Sequence, residues 1–155
     1  MKRFSVFAVL GVLVMFGSSL LAQSNPWAGT WKLNVAKSKY TGGPAPQSST
    51  RTYEAQANGV KFTSETTAAD GSHTSVSYTA SFDGKDYPVT GTTNSDTIAL
   101  KRSGNTFEST LKKGGKVVST GKNTVSKDGK VMTYSPKGTD AKGKPVSSVQ
   151  VWDKQ

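Results

Sequence analysis

The chain contains no cysteine, which excludes a disulfide framework, a cysteine-bound metal and a lipid-modified N-terminal cysteine. Histidine is nearly absent too. His73 alone supports neither a histidine metal centre nor, without a thiol, a Cys–His dyad. It follows Asp70-Gly71-Ser72 at a predicted strand start, where an exposed imidazole with no chemical role is expected. Acidic residues number 10 against 20 Lys and Arg. Of these, Asp70, Asp83 and Asp128 precede glycine and are accounted for by turn chemistry. Glu54 and Glu65 flank a predicted hairpin centred near Asn58-Gly59, a register that sets Glu54 opposite Thr63 and leaves the two carboxylates unpaired. No Gly-x-Ser-x-Gly elbow marks a serine nucleophile. These gaps predict a protein with no catalysis, no metal and no cofactor.

Long apolar runs are missing as well, with one exception at the start. Lys2 and Arg3 precede an almost unbroken apolar stretch from Phe4 to Phe16, and residues 17–22 then turn small. This is the pattern of a secretory signal over residues 1–23, and the run is shorter than the roughly 20 residues a membrane span needs. Cleavage after Ala22 or after Gln23 fits equally. The expected mature domain, 24–155, is then exported to a periplasmic or extracellular space, with no transmembrane span left after signal removal.

What is abundant is Ser, Thr and Gly. Beyond Pro26 the dipeptides Asn58-Gly59, Asp70-Gly71, Asp83-Gly84, Gly104-Asn105, Gly114-Gly115 and Asp128-Gly129 punctuate the text as turns. Between them apolar residues alternate with polar ones, as in Val60/Phe62/Ser64, Val76/Tyr78/Ala80/Phe82, Ile98/Leu100, Phe107/Ser109/Leu111, Met132/Tyr134 and Val149/Val151. The spacing predicts strands near 29–34, 49–56, 60–67, 73–82, 85–90, 97–102, 106–112, 116–126, 130–136 and 146–153, the fifth weakened by Pro88. Ten is an even number. An up-and-down meander of even count brings its first and last strands together antiparallel, so the expected fold is an all-β antiparallel barrel; the alternative is a β-sandwich.

The two termini carry a resemblance. Gly29-Thr30-Trp31-Lys32-Leu33 is similar to the first strand of the lipocalins, with their Gly-x-Trp, and of the intracellular fatty-acid- and retinoid-binding proteins. Gln150-Val151-Trp152-Asp153-Lys154 resembles the last strand of the second family, which ends in Arg-x-Tyr-Glu-Lys or Gln-x-Phe-Lys-Lys. The chain also resembles secreted bacterial lipocalin-like proteins of unknown function through Trp31-Lys32-Leu33-Asn34, Ala36-Lys37-Ser38-Lys39 and Asp83-Gly84-Lys85-Asp86-Tyr87-Pro88-Val89. The likeness implies a calycin-like barrel that binds a small molecule, with Gly29 and Trp31 at the closure. Two departures matter. The helical lid of the fatty-acid binders falls at 37–48, where Gly42-Gly43-Pro44-Ala45-Pro46 predicts a loop. Their carboxylate clamp, an Arg and a Tyr, is here Gln150 and Trp152, which make only neutral hydrogen bonds and imply a neutral or weakly polar ligand if Gln150 faces inward. The alternation itself favours Val149 and Val151 inward and Gln150 in solvent.

Candidate ligand contacts are therefore the aromatics Phe62, Tyr78, Phe82, Phe107 and Tyr134, interleaved with small Ser64, Ala80 and Ser109, plus polar contacts from Arg102, Gln150 or Trp152. The competing reading is a filled envelope barrel that acts through its surface. Charge bears on that reading, since residues 24–100 hold six basic and six acidic side chains, whereas 101–155 hold twelve and four. Lys112, Lys113, Lys116, Lys137, Lys142 and Lys144 are expected to gather at one end of the barrel. Such a cluster serves either solubility or attraction of an anionic lipid or polysaccharide surface. Nucleic acid is not an expected partner, because no compact tract interleaves Arg with aromatics.

Overall fold

A computed structural model describes residues 25–92, 94–140 and 142–155. The predicted signal segment lies outside the described residues. Ten strands follow one another: β1 (Gly29–Thr41), β2 (Ser48–Gln56), β3 (Gly59–Thr67), β4 (His73–Ser81), β5 (Asp83–Thr90), β6 (Thr97–Ser103), β7 (Thr106–Lys113), β8 (Lys116–Val125), β9 (Val131–Thr139) and β10 (Pro145–Lys154). Each pairs antiparallel with its neighbour, and β1 pairs with β10, closing the barrel. Closure leaves no free edge. The expected all-β barrel is therefore the observed one, and the sandwich is not.

Most turn signals act as their chemistry requires, with Gly71, Gly84, Gly104, Gly114 and Gly129 at positive φ. Gly59 is the exception. It opens β3 rather than sitting in the turn, so the β2–β3 loop is Ala57-Asn58 and Gln56 faces Gly59. The expected register is thus corrected by two residues. Glu54 lies opposite Lys61, not Thr63, and accepts an ion-pair contact from its Nζ at 3.1 Å.

The first strand also runs further than predicted. It continues to Thr41, so the loop expected at 37–48 shrinks to 42–47. The strand accommodates this by an irregularity between Asn34 and Lys39, opposite Val151 and Val149 of β10. There Ser38 Oγ donates to the Asn34 carbonyl at 2.7 Å and accepts from Val151 N–H at 3.0 Å, replacing lost ladder bonds.

The apolar core is concentrated at the end where the chain enters. Trp27 is 1% exposed and packs edge-on against Tyr53, Phe82 and Phe107 at centroid distances of 6.4, 5.5 and 6.4 Å. Trp31 Nε1 donates to the Trp27 carbonyl at 2.8 Å, and Arg102 Nη1 donates to Asn25 Oδ1 at 2.8 Å. Lys154 Nζ donates to the Pro26 carbonyl at 3.3 Å. Residues 25–28 are in this way pinned as a floor. Gly29 is required beside them: its φ is +120°, and a Cβ there would meet the Lys154 side chain. Leu33, Val60, Leu100, Val125, Met132 and Trp152 complete the packed half.

Candidate ligand cavity

Above that floor the barrel is hollow. A cavity of about 650 Å³ opens toward the loops after β1, β3, β5, β7 and β9. That volume lies within the range of pockets that hold small organic ligands. Its depth is walled by Tyr53, Phe62, Tyr78, Ile98 and Phe107, and its mouth by Thr66, Asn94, Val118, Thr139, Asp140 and Val146. Alternation builds the wall, because every second residue of β3, β4, β6 and β7 points inward. Small inward residues, Ser64 and Ser109, leave the space that the large ones would otherwise fill.

The expected contacts divide into three groups. Phe62, Tyr78, Phe107 and Tyr134 line the cavity, with Phe62 stacked on Tyr78 at 4.7 Å and 18°. Phe82 and Arg102 do not. Phe82 packs under Trp27, and Arg102 reaches over the outside of the floor, its guanidinium carbon 5.6 Å from the Trp27 ring centre. Gln150 and Trp152 form the third group. They face inward, while Val149 is 44% exposed, which overturns the inward placement favoured for Val149, but neither lines the cavity: Trp152 is packed in the core and Gln150 borders a smaller pocket beside Tyr40 and Ser148. Physically, one Trp and one Gln held by an inward partner outweigh two valines, because the indole hides far more apolar area than either.

That inward partner is Arg51 of β2, a residue the sequence reading passed over. Its guanidinium carbon lies 4.0 Å from the Trp152 ring centre, 4.7 Å from Tyr134 and 5.9 Å from Phe62. Arg51 Nη2 donates to Gln150 Oε1 at 3.3 Å, and Gln150 Nε2 in turn donates to Ser148 Oγ at 3.0 Å. Arg51 Nε is sealed from solvent with no acceptor. Among the described residues no carboxylate lies within ion-pair distance of it. Arg51 as a whole is half-buried, and cation–π contacts of this kind contribute about 1 kcal/mol, which holds the cation without neutralising it.

Gly121 makes the aromatic seat possible. A Cβ at this β8 position would collide with Tyr134, its hydroxyl oxygen being only 2.7 Å away. Asn123, across from Tyr134, is 3% exposed, and its Oδ1 has no partner either. Burial pushes the Tyr53 hydroxyl up to about 12, with the Arg51 charge pulling partly back. Burial likewise holds Tyr78 well above the ordinary tyrosine value. Both phenols are neutral donors at physiological pH.

The lysines meet at the cavity mouth as topology requires, with one change. Lys112 is engaged, its Nζ 2.8 Å from Asp86 Oδ2. Lys113, Lys116, Lys137, Lys142 and Lys144 are exposed, and among the described residues none is in an ion pair. Asp140, the one acidic residue lining the cavity, is occupied by accepting from the Lys142 and Lys144 backbone N–H groups at 2.8 and 2.9 Å. His73 lies at the start of β4, in the exposed position expected of it, beside Thr67 Oγ1 at 3.1 Å. No cluster of three metal-ligating side chains occurs among the described residues.

Ten up-and-down strands, a plugged floor and an open, aromatic-lined interior define a closed, hollow antiparallel β-barrel. Its fold is similar to that of zebrafish ileal bile acid-binding protein, crystallised with cholic acid, at a TM-score of 0.50 over 84% of this chain and 99% of that one. Sequence identity is 9%, so the likeness is one of fold. No family model matches the sequence. No curated protein matches it either.

Proposed function

We propose that the protein binds a small lipophilic molecule inside its barrel, without catalysis. The observation that carries this reading is the open cavity of about 650 Å³ above a closed floor, with aromatic walls relieved by Ser64 and Ser109. A filled structural barrel would have large side chains at those positions. The structural likeness to a bile acid-binding protein supports the same reading by analogy, as does the resemblance of both termini to lipid-binding barrels. Titration with the neutral dye Nile red tests it. One saturable site is expected in the wild type, weakened at least tenfold by Ser109→Trp, which fills the space. A folded protein that gives no saturable signal returns the chain to the filled-barrel reading.

Export belongs to the same proposal and is supported by Lys2-Arg3, the apolar run and the small residues after it, as in the secreted lipocalin-like proteins it resembles. Fractionation with N-terminal sequencing is expected to find a mature chain beginning near residue 23 outside the cytosol. A full-length chain confined to the cytosol would count against it.

A second reading concerns the mouth rather than the interior. Val117 is 59% exposed on the β7–β8 hairpin, next to Lys116 and near Lys113, a pairing of apolar and cationic side chains that suits an anionic lipid surface. Retention on vesicles rich in phosphatidylserine is expected at low salt and lost at high salt. Retention indifferent to salt, or surviving Lys113→Glu with Lys116→Glu, would sink this reading.

A further inference from the structure

We propose that Arg51 is an anion-binding residue inside the barrel, so that the ligand is an amphiphile with a negatively charged head held by the guanidinium and an apolar body along Phe62, Tyr78 and Phe107. The inference rests on the carrier reading and specifies its ligand class. It also replaces the neutral ligand implied by Gln150 and Trp152 on the last strand, because the charge comes from β2 instead.

Three independent observations converge on it. The first is an unbalanced charge. Arg51 lines the cavity, yet the side-chain oxygens beside it, Gln150 Oε1 at a long 3.3 Å and the Tyr53 hydroxyl, are neutral, and among the described residues no carboxylate pairs with it. A guanidinium carries five N–H donors, and here Nε has no acceptor at all. The second is the aromatic setting. The guanidinium carbon lies over the rings of Trp152, Tyr134 and Phe62, at 4.0, 4.7 and 5.9 Å, and π-faces draw on the cation's charge without accepting its N–H bonds as an oxygen does. A carboxylate or sulfonate presents paired oxygens that a guanidinium binds two at a time. The third is the approach. Lys113, Lys116, Lys137, Lys142 and Lys144 stand on the β7–β8 and β9–β10 side of the mouth, beside the cavity's one acid, Asp140, which accepts two backbone N–H bonds. The five lysines outnumber that single carboxylate, so the net field on this side of the mouth is positive and draws an anion in.

Displacement of bound Nile red by dodecanoate, dodecanol, dodecylammonium and acetate separates head from tail. Dodecanoate is expected to displace the dye at a concentration at least tenfold lower than dodecanol, with dodecylammonium weakest and acetate inactive. The preference for dodecanoate should weaken only in part at high salt, because a half-buried pair is screened less than an exposed one. Arg51→Met is expected to erase it, read as the ratio of the two displacing concentrations within the variant so that any change in its own Nile red affinity cancels, and Arg51→Lys to keep part of it. Should Arg51→Met fail to fold, the ¹⁵Nε resonance of Arg51 in the wild type supplies the readout: it should move with dodecanoate and stay with dodecanol. Nile red binding with equal displacement by the acid and the alcohol, or a preference untouched in Arg51→Met, overturns the assignment of Arg51 and leaves the carrier reading standing. Displacement by acetate as potent as by dodecanoate overturns the amphiphile. Absence of saturable Nile red binding overturns the carrier reading itself.

Discussion

At the scale of single residues, the protein keeps one cation among aromatic rings and makes room for it with one glycine. Gly121→Ala forces the Tyr134 ring away from its seat, and overpacking of this kind costs about 1–3 kcal/mol. Urea denaturation is expected to show that loss, together with weaker binding of any ligand that touches Arg51. Tyr53 sets an alkaline limit. Its folded value of about 12 stands above the roughly 10 of an unfolded tyrosine, so the neutral phenol is the form that the fold favours. This contribution is whole below about pH 10 and is lost as pH climbs through the folded value, on the order of 2–3 kcal/mol. Stability measured in urea from pH 8 upward is expected to fall steeply at the alkaline end, and less steeply in Tyr53→Phe. Arg51 itself was legible in principle. It shares strand parity with Ser49 and Tyr53, both buried, and that period-2 pattern places it inward. A charged side chain between Thr residues reads as solvent-facing only if the aromatic two places on is ignored.

At the scale of elements, turn chemistry made the strands legible and left their faces ambiguous. The positive-φ glycines mark where strands end, so ten elements and their order follow from spacing. Faces were harder to read, because in β10 the apolar residues Val149 and Val151 alternate with Gln150 and Trp152, and a heavier indole on the other parity decides. In β1, Lys37 and Lys39 read as a loop, whereas the strand runs on past an irregularity that only its partner β10 reveals. Trp27 was unreadable for another reason. It stands before the first strand, where nothing local distinguishes a floor from a linker. Trp27→Ala removes the ring that three aromatics pack against, and is expected to cost about 3–5 kcal/mol by the usual penalty for emptying a core, with the loss read by thermal denaturation. The β4–β5 ladder is the opposite case, joined at only Ser77↔Thr90 and Tyr78↔Val89. Amide exchange is expected to be faster there than along β2–β3, which pairs continuously from Ser48 to Gln56.

For the whole molecule, the circuit of hydrogen bonds matters more than any strand in it. The even strand count was readable before the structure; what the interior would hold was not, since cavity volume depends on how side chains from many strands meet. Charge distribution was readable in part: Lys113, Lys116, Lys137, Lys142 and Lys144 reach the mouth because β7–β8 and β9–β10 turn there, whereas Arg102 and Lys154 lie at the floor. Lys112 departs from that pattern through its contact with Asp86 on a strand two places away.

The pairing of β1 with β10 joins the two most distant parts of the sequence, Trp31 with Lys154 and Leu33 with Trp152. Seen in time rather than in space, this makes closure wait until residues 145–154 have been made. While residues 145–155 are missing, β1 and β9 each present a bare edge, and the aromatic seat under Arg51 lacks Trp152. A chain truncated at 144 is expected to aggregate rather than form a smaller barrel, as size-exclusion chromatography would show. Completion waits for the last strand, and until then the polypeptide stays open, extensible and dependent on whatever keeps sticky edges apart.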